Sequence, residues 1–159
     1  MKNIMNNTSA SVKITHFAVR LCYVLLTAAA IGLPIILFKG FYNFEILGEI
    51  KDFILIPFYF VVPAGYVALF CLDRLLINIR KGIVFDKKNV KILRTISIAC
   101  LYAGLVGIVS FIAVMILDFM FETLLILAMG EIFMALVVRV VQNVFEKAID
   151  IKEENDLTI

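Results

Sequence analysis

The chain has one histidine, three cysteines and only 18% charged residues among its 159, and each scarcity removes a class of function. A lone histidine, His16, cannot build a metal site with others of its kind. Cys22, Cys71 and Cys100 all fall within apolar stretches and lack metal-ligand spacing. They read as small apolar side chains, not as a disulfide framework. No glycine-rich phosphate loop, nucleophile elbow or paired-cysteine motif occurs. No catalytic residue, metal or cofactor is therefore expected, and an enzyme is the least supported class.

Apolar residues are what the chain does have, at 63% of the sequence with a mean hydropathy of +1.04. A globule of this size has too little interior to hide so much apolar surface from water, so lipid must be the solvent. Four stretches are long and apolar enough to span: 17–38, 53–72, 95–117 and a weaker one at 123–145. The expected class is all-α, an integral membrane four-helix bundle with helical extensions beyond the membrane. Four spans leave no room for a soluble domain, so one domain is expected over 1–159. Lys2 and Lys13 before an apolar run, with Ala28, Ala29 and Ala30 following, also fit a cleaved signal peptide. Residues 21–38 lack charge, however, and that is longer than a signal core needs.

Charge is as unevenly placed as it is scarce. Of fifteen Lys and Arg residues, thirteen fall on one side when the spans are threaded back and forth. The N-terminal segment carries Lys2, Lys13 and Arg20, and the C-terminal one Arg139, Lys147 and Lys152. The connection 73–94 carries Arg74, Arg80, Lys81, Lys87, Lys88, Lys91 and Arg94, whereas the other two connections hold only Lys39 and Lys51. Cation bias of this kind predicts a cell-membrane protein with cytoplasmic N- and C-termini. The net charge of +2 then reflects insertion, and direct nucleic-acid binding is not expected. On the other side the connection 39–52 offers Phe41, Tyr42 and Phe44 to the headgroups, and 118–122 is barely a turn. No folded outer domain awaits a ligand.

Within the spans, Pro57 and Pro63 each remove a helix hydrogen bond, and Pro63 frees the carbonyl of Tyr59, so a bend is expected. Ala99, Ala103 and Gly107 recur at intervals of four, a stripe on which another helix can approach closely. Glu131 is the chemical anomaly. The uncharged stretches beside it are too short to span, so a crossing fourth helix carries it at depth, at about 3 kcal/mol on insertion scales. Thr27, Tyr66 and Ser110 lie at broadly similar depth and are its candidate partners.

Outside the spans, Gly82 is placed to end one helix in a left-handed residue and Asp86 to cap the next. The connection 73–94 then reads as a basic hairpin, its seven cations opposed by Asp73 and Asp86 alone. Val140, Val141, Val144, Phe145, Ala148 and Ile149 continue the fourth helix past the membrane, with Gln142, Asn143, Glu146 and Asp150 on its other side. The last segment, 152–159, turns acidic through Glu153, Glu154 and Asp156. An acidic tail and a basic hairpin in one compartment suggest a reversible latch.

The residues Arg80, Lys81, Gly82, Ile83, Val84 and Phe85, then Asn89, Val90, Leu93 and Arg94, and the ending from Glu153 to Ile159 resemble a family of small four-span bacterial membrane proteins catalogued as a domain of unknown function, DUF2975. The stretch Glu131, Ile132 and Phe133 is similar more loosely. The resemblance covers nearly the whole chain and implies no established reaction. It does imply a setting: such proteins are often encoded beside a very small helix-turn-helix regulator.

Three expectations follow. In the first, Arg80, Lys81, Lys87, Lys88, Lys91 and Arg94 together with Glu153, Glu154 and Asp156 bind a small cytoplasmic DNA-binding regulator. In the second, Glu131 serves a small transporter or channel, built by one chain or by a homo-oligomer. In the third, the thin outer face belongs to a self-protection protein against a membrane-active peptide.

Overall fold

Four apolar stretches, each bounded by charge or turn residues, give four helices in the computed structural model: α1 (Lys2–Lys39), α2 (Glu45–Arg80), α3 (Lys87–Ile116) and α4 (Glu122–Asp156). The structure describes residues 2–39, 45–116 and 122–156. The connections at 40–44 and 117–121 and the last three residues lie outside the described residues, and with them the outer aromatics Phe41, Tyr42 and Phe44. Among the described residues there is no strand. The all-α, four-span expectation holds, since all four helices are long and apolar enough to cross a membrane.

The helices are longer than a bilayer requires. With 30 to 38 residues each, they run about 45 to 57 Å against a hydrocarbon core of about 30 Å. Helical extensions are thus present, and one exceeds the sequence reading. Residues 152–156, expected as a tail, are the last turn of α4, because the polar and apolar positions that hold 140–150 in a helix continue through Ile151 without a Gly or Pro to stop it.

Each helix packs on its neighbour in the chain: α1 on α2, α2 on α3 and α3 on α4. Among the described residues no close backbone approach joins α1 to α3 or to α4, or α2 to α4. The bundle is therefore an open row whose core follows α3, where Val90, Leu93, Ile96, Ala99, Ala103 and Val114 are buried. Large apolar side chains line the outside, among them Phe17, 70% exposed, and Ile116, 77% exposed. That surface suits lipid and not water.

The small-residue stripe of α3 is an intramolecular seam. A Cβ on Gly107 would come within 2.8 Å of the Ala128 Cβ, and one on Gly104 within 2.5 Å of Ile132 Cγ1 and 3.1 Å of the Ala128 carbonyl. Ala128 and Ala135 on α4 are buried opposite, and Ser97 donates to the Ala135 carbonyl at 2.9 Å. Close backbone approach between helices is the main source of packing energy where lipid competes for every apolar contact.

Candidate functional site

The hairpin between α2 and α3 is built as the turn residues require. Gly82 has φ +76°; its N–H reaches the Ile79 carbonyl at 3.0 Å, and the Ile83 N–H reaches the Asn78 carbonyl at 3.0 Å. This pair of bonds is a Schellman motif, which satisfies carbonyls the helix end leaves open. Asp86 caps α3 by accepting from the Lys88 N–H at 2.7 Å. The lock is a residue that sequence reasoning named only as part of the family resemblance, with no role of its own. Asn89 is fully buried, donates to the carbonyls of Ile83 and Val84, both at 2.8 Å, and accepts from Asn78 Nδ2 at 2.7 Å. Phe85 at the hairpin tip stacks obliquely on Phe145, ring centroids 5.6 Å apart, tying the hairpin to α4.

The predicted basic and acidic residues meet beside this hairpin. Lys87 Nζ stands 2.7 Å from Glu153 Oε1, both side chains well exposed. These residues lie beyond the uncharged part of the spans. The Glu153 carboxylate, hydrogen-bonded to the ammonium, raises the Lys87 pKa above the ordinary lysine value, with Asp150 adding to it. Below the pair runs a groove of about 300 Å³ between α3 and α4, lined by Lys87, Val90, Lys91 and Arg94 on one wall and by Gln142, Glu146, Ile149 and Asp150 on the other. Gln142, Glu146 and Asp150 were legible as the polar side of α4 but not as one wall of a site. Arg80, Lys81, Lys88 and Glu154 are exposed and do not line the groove. Asp156 is the last residue of α4.

The intramembrane polar residues do not form the expected cluster. Ser110 donates to the Val106 carbonyl of its own helix at 2.6 Å. Glu131 is exposed and lies near the Cys100 thiol of α3. Ten residues of helix, about 15 Å, separate Cys100 from Ser110, so Ser110 is at the wrong depth.

Thr27 and Tyr66 do meet, at 2.8 Å. Thr27 spends its only proton on the Tyr23 carbonyl at 2.8 Å, so Tyr66 is the donor between them.

That bond belongs to a polar ladder joining α1 to α2. Tyr59, Tyr66 and Asp73 stand seven residues apart on one face of α2. Tyr59 donates to the Ala30 carbonyl at 2.8 Å, and Asp73 meets His16 Nε2 at 3.1 Å, both half-buried. Pro34, inside α1, has no N–H and orphans the carbonyl four residues earlier, which is that of Ala30. Tyr59 thus satisfies an acceptor that Pro34 leaves without its helical partner, in a medium where water cannot.

Comparison with known proteins adds one finding. No curated protein and no solved structure matches the chain. A family model described as a protein of unknown function matches residues 5–159, which takes in all the hairpin, the groove and the described part of the fourth span. The chain belongs to this family, DUF2975.

Proposed function

We propose that this protein is a membrane-anchored interaction protein whose hairpin and α4 end, both cytoplasmic, hold a small helix-turn-helix regulator. The observation that carries the reading is the Lys87–Glu153 pair at 2.7 Å, which sets the basic hairpin and the acidic end of α4 side by side on one exposed face. Exposed ion pairs are weak and exchange readily for a competing charged partner. A basic regulator would take Glu153, Glu154 and Asp156 and release the hairpin. The cation bias of the connections supports a cytoplasmic location for this face and for both termini. Transport through Glu131 gains less support, since that carboxyl stands exposed beside one thiol with no cation paired to it among the described residues.

The test is affinity isolation of the tagged chain from native membranes, comparing the intact chain with one ending at Lys152. Recovery of a small DNA-binding protein with the intact chain alone is the expected result. Recovery of nothing with either chain, together with lost function on Glu131→Gln, contradicts it in favour of transport.

A further inference from the structure

The groove between α3 and α4 sits at a particular depth. After Arg94 no charged residue occurs in α3 as far as Ile116, so the hydrocarbon begins at about Thr95 and the groove lies in the headgroup layer. Lys87 is engaged by Glu153, but among the described residues neither Lys91 nor Arg94 is bridged to a carboxylate. Across from them, among the described residues, Glu146 accepts from Gln142 at 3.2 Å, and Asp150, which acts on Lys87 through space, has no cation within ion-pair distance. The two walls therefore present charges of opposite sign that no ion pair bridges across the groove, over a floor of Val90 and Ile149, both buried. Ile98, Leu101 and Leu105 continue the Lys87, Lys91, Arg94 face of α3 at steps of three and four toward the membrane centre, all exposed.

We infer that this groove is a binding site for a phospholipid headgroup, and that it selects one bearing a primary ammonium. The phosphate lies on Lys91 and Arg94, which are spaced to present two cations to one anion. The ammonium, one ethylene unit away in an aminophospholipid, lies against Glu146 and Asp150. The acyl chains follow the exposed apolar face below. An anionic lipid without the ammonium gains the first contact and is repelled by the second wall. A free phosphate ion gains the first contact but makes no use of the acidic wall or the apolar face, so a lipid is the occupant the site fits.

The test is native mass spectrometry of the purified full chain in mild detergent. Phosphatidylethanolamine, phosphatidylglycerol and phosphatidylcholine are each titrated, and inorganic phosphate is the competitor. Phosphatidylethanolamine binds tightest, and Lys91→Gln with Arg94→Gln weakens it about tenfold or more. Glu146→Gln with Asp150→Asn weakens phosphatidylethanolamine but strengthens phosphatidylglycerol. Opposite shifts of that kind cannot come from misfolding. Arg80→Gln with Lys88→Gln, an equal charge change outside the groove, leaves both lipids within about twofold, and inorganic phosphate displaces neither. Equal weakening by the Arg80/Lys88 variant, equal retention of all three lipids by every variant, or displacement by inorganic phosphate overturns the assignment.

Discussion

Replacing Asn89 by Ala should open the hairpin without touching the membrane-embedded part. The side chain is fully buried and makes three hydrogen bonds, to the carbonyls of Ile83 and Val84 and from Asn78. Ile83 is 46% exposed, so water can reach part of the turn, and the lower figure of about 1 kcal/mol per lost bond applies. The sum, about 3 kcal/mol, corresponds to roughly a hundredfold rise in the population of the opened turn. Hydrogen exchange at the Gly82 and Ile83 amides reads that population, because both are closed onto α2 by the Schellman bonds. Asn78→Ala removes one of the three bonds and should raise exchange by only about five- to tenfold. Exchange at these two amides within about threefold of the parent in Asn89→Ala would refute the reasoning, as would equal effects of the two substitutions.

Three further outcomes follow from the packing. Gly104→Ala should destabilise the chain by about 1 to 3 kcal/mol, because its Cβ meets Ile132 and the Ala128 backbone. Gly130→Ala, facing open space, should be neutral or slightly stabilising, and thermal unfolding in micelles separates the two. Tyr59→Phe should cost about 0.5 to 2 kcal/mol by stranding the Ala30 carbonyl, and the same substitution made on a Pro34→Ala background should cost clearly less, because α1 then supplies its own N–H. Spin-label distances between the start of α3 and the end of α4 should respond to alkali. The Lys87 pKa is raised in the folded state, so the pair's contribution is present in full below the ordinary lysine value and is lost as pH rises through the raised one. A distance that lengthens between pH 7 and 9 would contradict this.

Much of the architecture was legible because one solvent dictates it. In lipid every backbone group must be paired within its own helix, so runs of apolar residues of sufficient length leave little choice. The turn chemistry of Gly82 and Asp86 was equally local and equally readable. Helix order in space was less so: nothing in the spacing of Ala99, Ala103 and Gly107 says whether the facing helix belongs to the same chain, and only the fit of Ala128 against Gly107 answers it. Depth counting offered Thr27, Tyr66 and Ser110 as partners of Glu131, whereas Thr27 and Tyr66 meet each other, since counting from an interface ignores both which helices pack together and the direction a hydroxyl turns. Ser110 back-bonds to its own helix, as an isolated serine in a helix commonly does. Asn89 gave only a weak signal, because a polar residue near a helix start ordinarily reads as exposed, and its burial depends on the carbonyls the turn aims at it. The groove likewise depends on the register between α3 and α4, which pairs Ser97 with Ala135 and carries Lys87 to Glu153.

The reading as an interaction protein is tested most directly by a photo-crosslinking residue placed at Lys88 on the hairpin or at Asp150 on α4, with the chain in its native membrane and the products identified by mass spectrometry. Both positions should capture the same small helix-turn-helix protein from the cytoplasmic side, and adding Glu153→Lys with Glu154→Lys should abolish capture at both. Capture of that protein at neither position, or labelling of the hairpin by a membrane-impermeant reagent applied from outside the cell, would contradict it.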